Sequence, residues 1–213
     1  MKKIYLEEKY VLEYIRDMLN SFKKQSVEIN DAIYHHNTSY FNATLLIKYG
    51  ILTILDLKEL GIRKYSDKEL KIFDDVESHV NGTDAVSLSV VGLTDLYPHE
   101  IEYNPFKSST VDFCISSDIK VCRLTQHYGN EYLHFGKIET DKFKSIDIRL
   151  LQLIAEKKET TSIEEIILRY NCIKDIAIAM KQFNLDIPFR DMSNDNLTLD
   201  IDKVSNTPKI LLK

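Results

Sequence analysis

Short apolar runs in the middle of the chain set the tightest limit on its fold. Ala85–Val91 (AVSLSVV), Val111–Ile115, Ile119–Leu124 and Tyr132–Phe135 are rich in β-branched and aromatic residues. Each is too short for a helix of ordinary length, and polar or glycine-containing stretches separate them, so each reads as a strand. In the first run Ser87 and Ser89 alternate with valine and leucine, the pattern of a strand with one face buried. Ile146–Ile154 reads as a strand running into a helix. A loop from Gly92 to about Ser109, holding Pro98 and Pro105, parts the first two runs.

The flanks carry the other period. Between residues 4 and 25, Leu6, Tyr10, Tyr14, Met18 and Phe22 recur every fourth residue with Val11, Ile15 and Leu19 beside them. That predicts one amphipathic helix with a broad apolar stripe. Ala32-Ile33-Tyr34 is a short strand-type run. Asn37, Thr38 and Ser39 then offer N-cap oxygens to a helix over Tyr40–Tyr49, which Gly50 ends. Residues 51–81 read as mostly helical, with Ser66 and Glu69 as a capping box. Ser162–Tyr170 and Ile173–Phe183 predict two further helices. The fold class expected is α+β. The polar stretch KKETTS suggests a boundary near residue 158, with a main domain over 1–158 and a helical C-terminal extension over 159–213.

Composition narrows the partners. The formal net charge is -5 across 213 residues. A chain held to DNA by phosphate contacts is usually basic, so any nucleic-acid contact must come from a local patch. No apolar run is long enough to cross a bilayer, and MKKIYLEEKY lacks the apolar stretch of a secretory signal. Cys114, Cys122 and Cys172 are odd in number and form no CxxC. Reduced thiols in the cytoplasm are the expectation.

Two segments carry residues that a packed strand does not need. Tyr34-His35-His36-Asn37-Thr38-Ser39 sets adjacent histidines where a strand meets a helix. Tyr128-Gly129-Asn130-Glu131-Tyr132-Leu133 opens an apolar strand with a glutamate after a glycine turn, where a carboxylate can reach a cleft beside the sheet.

The segment IYHHNTSYFNATLLIKYGIL resembles the opening motif of the ADP-ribosyltransferase superfamily, in which a strand ends in Tyr-His or Thr-His and the following helix ends in glycine. NEYLHFGKIETDKFKSIDI is similar to the closing motif of its diphtheria-toxin and poly(ADP-ribose) polymerase branch, and a like glutamate strand occurs in the DNA-modifying DarT toxins. VSLSVVG resembles the central strand that lies beneath the nicotinamide. The resemblance implies a split, mixed or antiparallel sheet with flanking helices, and NAD as substrate. It implies His35 as the histidine that holds a ribose hydroxyl and Glu131 as the catalytic glutamate. His36 and Thr38 join the NAD-binding set, Ser87 or Ser89 lines the nicotinamide floor, and Tyr97 or Tyr103 stacks on the ring. His36 and Asn37 stand where the family has one small residue, so His35 and His36 compete for one role. Gly129 stands two before Glu131, so the Glu-x-Glu or Gln-x-Glu pattern of arginine-modifying toxins is absent.

These residue types suit the chemistry. Breaking the nicotinamide bond builds positive charge on the ribose, and a nearby carboxylate stabilises that charge where it develops. The same carboxylate can act as base toward the acceptor. The resemblance therefore implies a mono-ADP-ribosyltransferase acting on a nucleic acid or a protein. A composition rich in lysine, isoleucine and asparagine suits a toxin or phage-defence effector, with an antitoxin or inhibitor protein as a further partner and no membrane.

The plainer readings stand beside these. The histidine pair can be a polar strand end, Glu131 a solvated residue, and Ser87 and Ser89 the exposed face of a strand. Cys114 and Cys122 read as buried small apolar residues. A metal site built from both histidines is disfavoured, because adjacent residues on a strand point apart, and no metal is expected. The alternative functions are a non-catalytic binding module on the same fold and an RNA 2′-phosphotransferase-like enzyme. The latter needs arginines gathered around a phosphate, whereas Arg63, Arg123, Arg149, Arg169 and Arg190 are scattered along the chain.

Overall fold

The computed structural model describes residues 2–24, 29, 31–62, 84–90, 110–123, 131–150, 162–192 and 197–213, with the backbone alone at 23, 33, 110, 131 and 197. The expected loop over 92–109, the Ser66–Glu69 capping box and both candidate stacking tyrosines, Tyr97 and Tyr103, lie outside the described residues.

The strands are β1 (Lys3–Leu6), β2 (Lys23–Lys24), β3 (Ala32–Ser39), β4 (Ala85–Ser89), β5 (Thr110–Ser116), β6 (Cys122–Arg123), β7 (Glu131–Phe135), β8 (Phe143–Ile148), β9 (Phe189–Asp191), β10 (Leu197–Leu199) and β11 (Lys209–Leu212). The helices are α1 (Glu8–Ser21), α2 (Tyr40–Tyr49), α3 (Ile54–Glu59), α4 (Ile163–Gln182) and α5 (Ile201–Asn206). Among the described residues, nine strands form one sheet in the order β2-β10-β9-β8-β5-β3-β4-β7-β6. Its pairings are antiparallel except β8 with β9. β1 and β11 form a separate parallel pair. The protein is thus α+β with a mixed sheet.

The strand residues obey the period of two. Val111, Phe113 and Ile115 of β5 are fully buried and join Ile146 and Ile148 of β8, Val86 and Leu88 of β4 and Phe189 of β9 in one core. Val11, Ile15 and Leu19 of α1, Ala43 and Ile47 of α2, and Ile166, Ile173 and Ala177 of α4 belong to the same cluster. Helices therefore cover that face of the sheet.

Several expectations change. The N-terminal helix is shorter than the predicted 4–25, because the backbone at Lys3–Leu6 pairs with β11 across the length of the chain. Its deepest side chains are Val11, Ile15 and Leu19, while Tyr10 is half exposed. The two helices predicted around residue 171 are one helix, α4, since nothing in Asn171-Cys172 breaks it. The segment after the expected boundary is not wholly helical. It supplies β9 and β10 to the main sheet and β11 to β1, and α4 lies in the shared core. Cys122 is exposed rather than buried, because β6 is the last strand at one edge of the sheet.

α2 follows its sequence signals closely. Ser39 Oγ accepts from the Asn42 N–H at 3.4 Å, and Gly50 ends the helix with φ of 80°. A Cβ at Gly50 would lie 2.3 Å from the Ile138 carbonyl oxygen, because Ile51 and Ile138 form a two-way backbone bridge there. Glycine is needed for both reasons. α3 opens with a capping box that the sequence analysis did not single out. Thr53 Oγ1 accepts from the Asp56 N–H and Asp56 accepts from the Thr53 N–H.

Candidate functional site

β3 lies between β5 and β4, and its two histidines project to opposite faces. His36 is paired with Phe113, on the helix-covered side, and His35 with Cys114, on the other. A run of one polar strand with alternating partners gives this result directly.

On the helix-covered side, His36 donates from Nδ1 to the Ser87 carbonyl at 3.1 Å. Burial pushes its pKa below the usual histidine value, against the opposing pull of that carbonyl and of Asp112. The ring therefore favours the neutral form, which leaves Nε2 as an acceptor. His36, Thr38, Asn42 and Gly50 line a cavity of about 270 Å³ whose remaining walls are leucine and isoleucine from α2, α3 and the turns beside them. Deeper along β3, Tyr34 meets Tyr132 of β7 edge-on with ring centroids 5.5 Å apart.

On the opposite side, His35 sits in a chain of polar groups running across four strands. Its Nδ1 lies 2.7 Å from Asp112 Oδ2, and the two side chains are 14% and 0% exposed. In this hydrogen bond a protonated Nδ1 donates and the carboxylate oxygen accepts. Cys114 Sγ lies 3.6 Å from the same nitrogen and donates to Asp147 Oδ2 at 3.3 Å. Burial, then the charges of Asp147 and Asp112, push the Cys114 thiol far above its usual range. Arg190 of β9 grips Asp147 with two nitrogens, Nε to Oδ1 at 2.8 Å and Nη2 to Oδ2 at 2.5 Å. The same Nη2 reaches Ser145 Oγ at 3.3 Å. The fork geometry is the strong form of an ion pair.

The main-chain register extends this row toward the other candidate residues. His35 is paired with Ser89, and Ser89 with position 131. Two strand spacings, on the order of 10 Å, therefore separate residue 131 from His35, although 96 positions lie between them in sequence. Ser89 stands between them and is half-buried, whereas Ser87, paired with Leu133, is exposed. Thr38 shares the cavity with His36 rather than the row with His35.

Asp112, Cys114, Ser145, Asp147 and Arg190 were not singled out from the sequence as site residues. The signal was present. Asp112 and Cys114 alternate with Val111, Phe113 and Ile115, and Ser145 and Asp147 alternate with Ile146 and Ile148. Polar residues, one of them an acid, at every second position of an otherwise apolar strand mark a face that is buried and polar.

Compared with known protein families, curated proteins and solved structures, the chain matches none.

Proposed function

We propose that this protein transfers ADP-ribose from NAD to a nucleic-acid or protein acceptor, in the manner of a mono-ADP-ribosyltransferase toxin or effector. The observation that carries this reading is the cross-strand row of His35, Ser89 and position 131. Three residues chosen from separate motifs fall on adjacent strands in direct register. Residues opposite each other in antiparallel strands share a face, so the row favours His35 over His36 as the partner of Glu131.

On this reading Glu131 stabilises the positive charge that develops on the ribose as nicotinamide leaves, then takes the acceptor's proton. His35, braced by Asp112, orients the ribose, and orientation of this kind removes much of the entropic barrier. The His36–Thr38 cavity is smaller than the roughly 300–1,000 Å³ of sites for drug-sized ligands. It also lies on the opposite face of β3 from the His35 row, so it takes no part in this reading. DarT-like enzymes modify DNA, which makes a nucleic acid the first acceptor to try.

The test is transfer of label from NAD to DNA, RNA and protein in parallel, with Glu131→Ala beside the native chain. Loss of an electrostatic group at the reacting centre should slow transfer on the order of 10²- to 10³-fold, with far-ultraviolet circular dichroism unchanged. A variant that keeps full activity removes Glu131 from the mechanism.

A second reading, a non-catalytic binding module, draws on the engagement of His35 with buried Asp112, which gives that histidine a structural task of its own. Protection of the native chain by NAD against thermal unfolding, together with transfer, speaks for the enzyme. Neither effect speaks for the module. The phosphotransferase reading has less to draw on, since Arg190 and Arg169 are bound to Asp147 and Glu165 respectively.

A further inference from the structure

We propose that His35, Asp112 and Cys114 form a binding site for one borderline-soft divalent cation, zinc above all. The proposal shares His35 and Asp112 with the transferase reading but rests on different observations. The three residues come from adjacent strands, β3 and β5, and each offers one ligand atom within 4.8 Å of the other two. They are a neutral-capable imidazole, a carboxylate and a thiol, the donor types that zinc prefers. A thiol donor sets the site apart from calcium and magnesium sites, which are built from oxygen.

A second observation points to a cation. Asp112 is fully buried, yet its Oδ1 has no hydrogen-bond partner among the described residues. Buried carboxylate oxygens are ordinarily satisfied, so the unpartnered oxygen of this carboxylate is one that a bound cation would satisfy. Among the described residues, the guanidinium of Arg190 is paired with Asp147 rather than with Asp112.

The distances suit ligation after a small adjustment. Metal–ligand bonds of 2.0–2.3 Å place tetrahedral neighbours about 3.3–3.7 Å apart. The His35 nitrogen and Cys114 sulfur are already 3.6 Å apart. His35 Nδ1 and Asp112 Oδ2, at 2.7 Å, share a hydrogen bond that the ion would replace, opening the pair by about 0.6 Å. As the cation enters, the imidazole proton moves from Nδ1 to Nε2 by exchange with solvent and the thiol proton leaves to solvent, so binding releases one proton. Arg190 Nη2, 3.8 Å from the sulfur, is placed to donate to the resulting thiolate, the kind of outer partner that tunes a ligand. Three protein donors leave a fourth position for water or for the second Asp112 oxygen.

The experiment uses the full chain, stripped with chelator and titrated with Zn²⁺ and, separately, with Co²⁺. The expected result is one equivalent bound, with a thiolate-to-cobalt charge-transfer band in the near ultraviolet. A Cys122→Ser/Cys172→Ser variant, which leaves Cys114 as its one thiol, should keep the band in full. Asp112→Asn should weaken zinc binding by more than the 10- to 100-fold typical for loss of an outer partner. Absence of the band in the native chain, its loss in the double variant, or unchanged zinc affinity in Asp112→Asn would each overturn the proposal. The double variant touches neither His35 nor Asp112, so the conclusion does not depend on whether Asp112→Asn folds. NAD protection and transfer are read separately, so failure of this site leaves the transferase reading standing or falling on its own.

Discussion

The two faces of β3 differ as much as any two parts of the molecule, although consecutive residues face them. Toward the helices, Val111, Phe113, Ile115 and Ile146 are fully buried among apolar neighbours. On the other side Asp112, Ser145 and Asp147 are equally buried but polar. The first face is held by exclusion of water, which needs shape and volume alone. The second is held by paired charges, each of which is costly if its partner is removed. One face thus supplies a rigid base and the other an arrangement of donors and acceptors with chemical uses, and both histidines owe their roles to this division.

That division can be broken from either side. The largest effect is expected from Phe113→Ala, which empties a fully buried site packed on Phe143 at 5.0 Å between ring centroids. Denaturant unfolding should show a loss of about 3–5 kcal/mol. Next comes Arg190→Met. It leaves Asp147 buried and unpaired, and because the arginine side chain is 14% exposed the loss should fall to about 2–3 kcal/mol, below that of a fully buried pair. Adding Asp147→Leu should return most of that loss, since an apolar pair replaces an ionic one. If the double variant is instead less stable than Arg190→Met, the polar face does not behave as paired charge.

The smallest effect sharpens the contrast between buried and rim acids. Asp200 accepts from the Lys203 N–H at 3.2 Å as N-cap of α5 and pairs with Lys24 at 3.2 Å. Burial pushes its pKa up, but the cap hydrogen bond and Lys24 outweigh it, and the net direction is down. A depressed carboxylate contributes stability that is present above its unfolded pKa of about 3.9 and is lost as pH falls through the lower folded value. Asp200→Ala should therefore cost about 1 kcal/mol at neutral pH, and the difference from the native chain should vanish in acid. Thermal unfolding measured from pH 7 down to pH 2 checks this.

Local signals in the sequence were reliable where neighbouring residues decide the outcome. Ser39, Tyr40–Tyr49 and Gly50 form a cap, helix and stop from residues within one stretch, and the central strands follow their alternation. The N-terminal strand was invisible, because Lys3–Leu6 is extended only by virtue of β11, some two hundred positions away. The single helix α4 was split in the reading because its apolar stripe is interrupted at Asn171, whose side chain bonds to the backbone of Ile210. Of the candidate site, the histidine pair and the glutamate were legible as odd residues in strand context. Asp112, Ser145 and Asp147 were not singled out, and Cys114 reads from sequence as a small apolar residue.

What the sequence by itself determined is which residues face which way along each strand, and hence that His35 and His36 must part. Alternation is a property of the extended backbone and needs no partner. What only the tertiary structure decided is which strands lie side by side, and so which chemistry each histidine meets. The order β8-β5-β3-β4-β7 joins strands remote in the chain, and their adjacency follows from packing a common core rather than from any local preference. That packing put Asp112 and Cys114 against His35, gave His36 a cavity with Thr38, and set position 131 two strands away.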